Sequence, residues 1–131
     1  LIRPVLSEGK WVLCDRFLDS SRAYQGLAGD LGDDLVRALH DLGSEGLLPD
    51  LTVVITADAE TIASRLAARD GGTSDAIGGR DASYHARVNA AFVRFAEAEP
   101  DRFVVVDGMG EPDEVAALVW HAISPLLEGG A

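Results

Sequence analysis

The stretch that decides the fold is Pro49-Asp50-Leu51-Thr52-Val53-Val54-Ile55. Its apolar residues are continuous rather than alternating, and β-branched side chains dominate, which is typical of a strand buried on both faces. Two other runs have the same continuous character, residues 11–14 and 103–106, and each is followed directly by an aspartate. Strands covered on both faces are found in parallel sheets, so the three runs predict a parallel sheet with helices packed on it.

Helical patterns lie between these runs. Apolar residues recur at helical spacing over residues 31–42, 59–69 and 81–98, and a last helix is predicted to begin at Glu111-Pro112. The order of strand, helices, strand, helices, strand and helix predicts one α/β domain over residues 1–131. The glycine- and aspartate-rich residues 70–80 are predicted to form a mobile loop within it. Because Leu1, Val5 and Leu6 read as the end of a helix, we expect an N-terminal part of the protein to precede them; a processed mature terminus is the alternative.

Composition narrows the class of protein. The chain has 131 residues, with 22 acidic and 11 basic side chains and a formal net charge of −11. This acidic balance argues against nucleic acid or an anionic membrane as a partner. The single cysteine, Cys14, cannot form an internal disulfide, so we expect a cytoplasmic protein. Cys14, Trp11 and Trp120 are expected to be buried.

Residues 15–26 carry the most informative polar pattern, Asp15-Arg16-Phe17-Leu18-Asp19-Ser20-Ser21-Arg22-Ala23-Tyr24-Gln25-Gly26. In a parallel sheet, ligands bind beyond the carboxyl ends of the strands, where this stretch begins. An arginine fork suits a phosphate, and a carboxylate at that position suits Mg²⁺ or a hydroxyl group. The alternative is that Asp15 pairs with Arg16 and that the serines cap a helix. Composition alone does not separate these two interpretations.

A second pattern is a set of arginines around the glycine-rich loop. Arg65 and Arg69 precede the loop, and Arg80 and Arg87 follow it. Phosphoryl transfer needs positive charge delivered by a segment that closes over the reacting groups, which this pattern fits. The alternative is ordinary pairing with neighbouring aspartates, which for any single arginine is the simpler interpretation.

These residues resemble a known family. The Asp15-Arg16-Phe17 triplet followed by Ser-x-x-Ala-Tyr-Gln-Gly is similar to the signature of the thymidylate kinases, and Leu48-Pro49-Asp50-Leu51-Thr52 and Val106-Asp107-Gly108 resemble later family segments. The resemblance covers essentially the whole chain and corresponds to roughly the C-terminal two-thirds of such a kinase. It implies a P-loop nucleoside monophosphate kinase fold, lacking here its first strand and its phosphate-binding loop.

The resemblance also implies roles for individual residues. The reaction would be phosphoryl transfer from ATP to dTMP, giving ADP and dTDP, with Mg²⁺ as cofactor and a homodimer as the assembly, to which the helix over 31–42 is a candidate contributor. Arg16 would hold the dTMP phosphate, with Asp15 beside it reaching Mg²⁺ through water. The remaining implied substrate contacts are Ser20, Ser21, Tyr24 and Gln25. The implied groups around ATP are Arg65, Arg69, Arg80, Gly108, Met109 and Glu111.

Two departures from the family pattern change the expectation. The sequence has no G-x-x-x-x-G-K-[ST] segment, and its single lysine, Lys10, has no glycine-rich loop around it. Ala76 stands where the family loop often carries an arginine. We therefore expect this chain alone to be inactive, and we expect the strands at 11–14 and 51–55 to lack the neighbour between them. Another P-loop nucleotide or nucleoside kinase, or an α/β interaction module without catalysis, remains as an alternative.

Overall fold

A computed structural model of the chain describes residues 1–71 and 82–129. The predicted mobile loop over residues 70–80 lies outside the described residues from residue 72 onward, and so do Ala76 and Arg80. The strands are β1 (Thr52–Thr56) and β2 (Phe103–Asp107). The helices are α1 (Ile2–Ser7), α2 (Leu18–Ser21), a π-helical segment that continues it (Arg22–Leu27), α3 (Asp33–Ser44), α4 (Ala59–Asp70), α5 (Ala82–Ala98) and α6 (Pro112–Gly129). Among the described helices, none combines the length and apolarity needed to cross a membrane.

The predicted α/β architecture with a parallel sheet is confirmed. β1 and β2 pair in parallel, from Thr52 opposite Phe103 to Thr56 opposite Asp107. At the carboxyl end of the pair, the Gly108 N–H donates to the Thr56 carbonyl at 2.7 Å. A Cβ at Gly108 would lie 2.6 Å from the Ile55 side chain and 2.7 Å from the Thr56 carbonyl oxygen, so only glycine allows this approach.

The strand predicted over residues 11–14 is wrong. The described part of the chain contains a two-stranded sheet, and residues 11–14 are outside it. A strand needs a neighbour to bond its N–H and C=O groups, and the described residues supply none here. The expected burial fails with it: Cys14 is exposed, Leu13 is fully exposed, and Trp11 is 57% exposed. Trp120, on α6, is also exposed.

The core lies between α5, the sheet and the π-helical segment. Tyr84, Val88, Ala91 and Phe95 form the buried face of α5. They pack with Val54 of β1, Phe103 of β2, and Ala23 and Ala28 at the π-helical segment. The helical spacing over 81–98 therefore predicted the correct face. On α3 only Val36 is buried.

A cluster of charged groups lies beside this core, with Asp19 and Arg22 buried and the other members half-buried. Arg22 forks onto Asp33 through Nε at 2.7 Å and Nη2 at 2.9 Å, and its Nη1 donates to Asp19 at 3.1 Å and Glu99 at 3.0 Å. Arg102 donates to both Asp19 oxygens, at 2.7 and 2.9 Å, and also to Glu99. We call these five residues the ion cluster. It joins α2 and the π-helical segment to α3 and to the turn between α5 and β2.

The carboxyl groups of the ion cluster have lowered pKa values. Burial would raise the pKa of Asp19 and of Glu99, but hydrogen bonds from the arginines outweigh it. For Asp33, the hydrogen bonds from Arg22 are the main cause of the lowered pKa. A carboxyl group whose pKa is lower in the folded chain stabilises the fold above its unfolded pKa, and this stabilisation is lost as pH falls through the folded value.

We predict that the free energy of unfolding falls as pH drops below the ordinary carboxyl pKa values, 3.8 for Asp and 4.5 for Glu. Asp19→Asn should cost about 3 kcal/mol at neutral pH, because it leaves buried guanidinium groups short of a partner. The same variant should lose stability less steeply in acid, because it lacks one of the titrating groups. Urea unfolding followed by circular dichroism at a series of pH values measures both effects. Glu97→Gln, on an exposed carboxylate of α5, is the matched control and should parallel the wild type. An acid decline in Asp19→Asn as steep as in the wild type would contradict the assignment.

Candidate functional site

The segment that carries the predicted site begins with a strained residue. Arg16 has a φ of 63°, in the left-handed region that residues with a Cβ adopt at a cost. Its carbonyl accepts a hydrogen bond from the Cys14 thiol at 3.3 Å. The turn at Arg16 leads into α2 and then into the π-helical segment, where the Ala28 N–H donates to the Ala23 carbonyl at 3.0 Å. π-Helical turns are rare and occur often at functional sites.

The wide turn gives this segment two faces. Asp19, Arg22 and Ala23 are buried against the core, whereas Ser21 and Gln25 are exposed. Ser20 and Tyr24 lie between these extremes and are half-buried. The polar residues that the sequence singles out therefore occupy one side, and the ion cluster occupies the other.

A cleft of about 800 Å³ opens on the polar side. All five predicted substrate contacts line it: Arg16, Ser20, Ser21, Tyr24 and Gln25. Its other walls come from α3 and α5 and include Val36, Leu39, His40, Ser44 and Tyr84. The guanidinium carbon of Arg16 lies 5.1 Å from the centre of the Tyr24 ring, a cation–π contact that orients the two side chains together.

The alternative interpretation of residues 15–26 does not hold. In the described part of the chain, Asp15 and Arg16 form no ion pair with each other. No serine side chain caps α2, which has Phe17 at its N-cap, and Ser21 makes no side-chain cap at the start of the π-helical segment. Asp15 is exposed and is not among the residues that line the cleft. Arg16, Ser20 and Ser21 are thus available to a ligand.

Four of the residues predicted around ATP, namely Arg65, Gly108, Met109 and Glu111, come together at a second place, beyond the carboxyl end of β2. The Arg65 guanidinium, on α4, donates to the Gly108 carbonyl at 2.8 Å and to the Gly110 carbonyl at 3.4 Å. The Met109 N–H donates to Asp107 at 2.9 Å, and the Glu111 N–H donates to Glu114 in the first turn of α6. Arg65 therefore orders the loop over residues 108–111 and presents a planar guanidinium beside it. Arg69 lies in the last turn of α4.

Two elements of the site were missed by sequence reasoning. The first is the ion cluster, in which Arg22 belongs to the motif over residues 15–26 but faces away from the cleft. The second is His40, which lies on α3 and lines the cleft. Its ring meets Phe17 edge-on at 5.0 Å, and its Nε2 lies 2.6 Å from the Leu47 carbonyl oxygen and 2.8 Å from the Ser44 hydroxyl. A histidine two turns along an amphipathic helix carries no sequence signal that separates it from an exposed one.

A metal site made by the protein alone is not found among the described residues, where no group of three or more His, Cys, Asp or Glu side chains is arranged to hold an ion. Mg²⁺ in phosphoryl-transfer enzymes is held largely by substrate phosphates and water, with one or two carboxylates. The exposed carboxylate of Asp15, adjacent to Arg16, has the chemistry for such a role.

Comparison with known proteins agrees with this geometry. The family model for thymidylate kinase matches residues 1–119. A thymidylate kinase of Rhizorhabdus wittichii is 44% identical over 126 residues, which is 96% of this chain and 61% of that protein. A thymidylate kinase of Bradyrhizobium diazoefficiens is 42% identical over 128 residues, which is 97% of this chain and 56% of that protein. The chain thus spans about three-fifths of the length of these curated relatives.

A solved structure extends the likeness to three dimensions. The crystal structure of thymidylate kinase from Ehrlichia chaffeensis matches with a TM-score of 0.66 and 26% sequence identity, over 96% of this chain and 57% of that one. The predicted nucleoside monophosphate kinase fold is therefore confirmed for the part of the fold that this chain spans. With a family model that matches residues 1–119 of 131, the chain belongs to the thymidylate kinase family.

Proposed function

We propose that this chain forms the monophosphate-binding part of an enzyme that transfers the γ-phosphoryl group of ATP to dTMP. The observation that carries the proposal is that Arg16, Ser21 and Tyr24 line one cleft beyond a turn held in the left-handed region. A phosphate oxygen of dTMP would attack the γ-phosphorus as the bond to the β–γ bridging oxygen breaks, so that ADP leaves and dTDP remains. Such a reaction is promoted chiefly by positioning and by positive charge.

On the monophosphate side, Arg16 would hold the 5′-phosphate with its guanidinium fork. The Tyr24 ring, 5.1 Å from that guanidinium, limits where the fork can lie. Ser21 would bond the thymine edge, and the Tyr24 ring would occupy the space that a ribose 2′-hydroxyl needs. Gln25 and Ser20 complete the polar wall of the cleft.

On the ATP side, we propose that the loop over 108–111, ordered by Arg65, borders the adenine. Arg69 and Arg80 would bring positive charge to the phosphates. Mg²⁺, with Asp15 as its water-bridged carboxylate, would neutralise charge on the phosphate oxygens when bound. The sequence lacks a G-x-x-x-x-G-K-[ST] segment. We infer that the loop cradling the triphosphate would come from residues outside these 131, and that this chain alone does not turn over.

We also propose that the whole protein is a homodimer and that α3 contributes to the contact. The α3 leucines Leu35 and Leu42, which do not line the cleft, are 49% and 83% exposed in the chain and form an apolar patch of the kind that a second copy would cover. Sedimentation of the whole protein tests this, and a monomer at micromolar concentration would contradict it. A cytoplasmic location stays a prediction.

The proposed activity is tested by a coupled ADP-release assay with dTMP, dUMP, dCMP and dGMP, on this chain and on the full reading frame of its gene. We expect the full-length protein to prefer dTMP and the chain alone to release no ADP. Preference for dGMP would favour another nucleotide kinase. The absence of both turnover and nucleotide binding in the full-length protein would favour an interaction module.

Arg16 should not tolerate lysine. The ammonium group of a lysine cannot make the two parallel hydrogen bonds of a guanidinium to a phosphate, so Arg16→Lys should lower kcat/KM for dTMP in the full-length protein. Arg16→Ala should cost about 2–4 kcal/mol of transition-state stabilisation. Steady-state kinetics with dTMP varied at saturating ATP measure the loss. Arg94→Lys, at an exposed arginine of α5, is the matched control. Near-wild-type kcat/KM in Arg16→Ala would remove Arg16 from the site.

Base and sugar selectivity should separate Ser21 from Tyr24. Ser21→Ala should weaken discrimination of dTMP over dCMP by about 1–2 kcal/mol, the scale of one buried hydrogen bond. Tyr24→Ala should raise kcat/KM for ribothymidine monophosphate relative to dTMP, whereas Tyr24→Phe keeps the ring and should leave that ratio near wild type. An unchanged ratio in Tyr24→Ala would make Tyr24 a packing residue, in line with its contact with the core.

A further inference from the structure

Arg22 lies directly behind the nucleotide-facing residues. Its neighbour Ser21 and, two positions on, Tyr24 line the cleft, while the Arg22 side chain is only 5% exposed and points to the other side. Of the arginines in the described part of the chain, it is the one placed within the site segment but turned away from the cleft.

Every polar nitrogen of Arg22 is bound. Nε and Nη2 fork onto Asp33, and Nη1 is shared between Asp19 and Glu99. The guanidinium carbon lies over the Phe95 ring, 4.0 Å from its centre, which adds a cation–π contact. A guanidinium with four hydrogen bonds and a ring contact is held in one position, unlike an exposed arginine.

The partners of Arg22 come from separate elements. Asp33 begins α3, which forms the opposite wall of the cleft, and Glu99 follows α5. Asp19 is fixed in turn by Arg102 and by the Thr52 hydroxyl at 2.7 Å, at the start of β1. The site segment is thereby tied to both walls of the cleft and to the sheet.

The charged groups of the ion cluster are not needed for stability alone. Three carboxylates surround two guanidinium groups, and replacing buried ion pairs with apolar side chains is often neutral or stabilising. What an ionic cluster supplies, and an apolar patch does not, is a fixed direction for each bond. A segment packed only by Ala23 and Leu18 could slide or rotate, and Ser21 and Tyr24 would move with it.

We propose that Arg22 is a positioning residue for the cleft: by joining Asp19, Asp33 and Glu99 it sets the places of Ser21 and Tyr24, and through them the affinity for the nucleoside monophosphate. The effect of Arg22 on the affinity for dTMP rests on the proposed function, whereas its effect on the order of residues 18–27 does not. Arg22 touches no substrate in this account and acts only through its neighbours.

The test uses the full-length protein with Arg22→Met, Arg22→Lys and the control Arg94→Met, which removes an exposed charge from α5. Amide hydrogen exchange is measured without ligand, and KM is measured separately for dTMP and for ATP. In Arg22→Met we expect faster exchange over residues 18–27 with little change in α6. The KM for dTMP should rise roughly tenfold, as small displacements of binding groups do, while the KM for ATP stays within about twofold.

Arg22→Lys keeps the charge but reaches fewer carboxylates, so it should give smaller changes in the same direction. If Arg22→Met does not fold, Arg22→Lys provides the same comparison of KM values and hydrogen exchange. If Arg22 only stabilised the fold, the Arg22→Met variant would behave differently. Its apparent kcat would fall in proportion to the folded fraction, and the KM values for dTMP and ATP would stay unchanged. Amide hydrogen exchange would become faster throughout the chain. That pattern would overturn the proposal. If the full-length wild type does not phosphorylate dTMP, the proposed function fails, and exchange over residues 18–27 still decides whether Arg22 positions the segment.

Discussion

The architecture of the site depends on the buried contact between Arg22 and Asp19. Two charged side chains, each 5% exposed, can remain in a core only if their hydrogen-bonding capacity is filled, and here it is filled by groups from four other places in the chain. Asp33 begins α3, Thr52 begins β1, and Glu99 and Arg102 flank the turn that enters β2. The elements that frame the cleft therefore meet at one set of charges. Removing Arg22 or Asp19 leaves buried hydrogen-bonding groups of the other members without partners, so these contacts hold the short helix α2 in place.

The same constraint explains the shape of the segment. α2 is four residues long, and it continues as a π-helical turn of six. The wider turn separates the segment into two sides. One side lines the cleft with Ser20, Ser21, Tyr24 and Gln25. The other side faces the core with Asp19, Arg22 and Ala23. Strain at Arg16 adds to this arrangement, since a left-handed turn brings its guanidinium over the Tyr24 ring. The polar residues of the motif are thus separated by backbone geometry into those that hold the segment and those that face a ligand.

The spacing of apolar residues in the sequence predicted those elements whose formation depends on nearby residues. β1, β2 and the buried face of α5 follow from apolar periodicity, and the cleft residues follow from their place after a strand-like run and from the family signature. Residues 11–14 have an equally good strand pattern, yet a strand exists only beside a bonded neighbour, which composition does not reveal. The ion cluster was beyond prediction for a related reason: Arg22 reaches Glu99 across 77 residues and Arg102 reaches Asp19 across 83. Nothing in the spacing of those residues indicates that they meet. The arginines around the glycine-rich loop suggested phosphate binding, whereas Arg22 and Arg102, which that pattern leaves out, bind carboxylates beside the core.

The central claim is that the cleft beside Arg16 is the monophosphate site, and the most direct measurement is a crystal structure of the full-length protein with dTMP bound. The account predicts the 5′-phosphate within hydrogen-bonding distance of the Arg16 guanidinium, about 2.7–3.2 Å, with the thymine edge at the Ser21 hydroxyl and the sugar against the Tyr24 ring. A nucleotide bound elsewhere, or a phosphate held by other groups while Arg16 points to solvent, would contradict it.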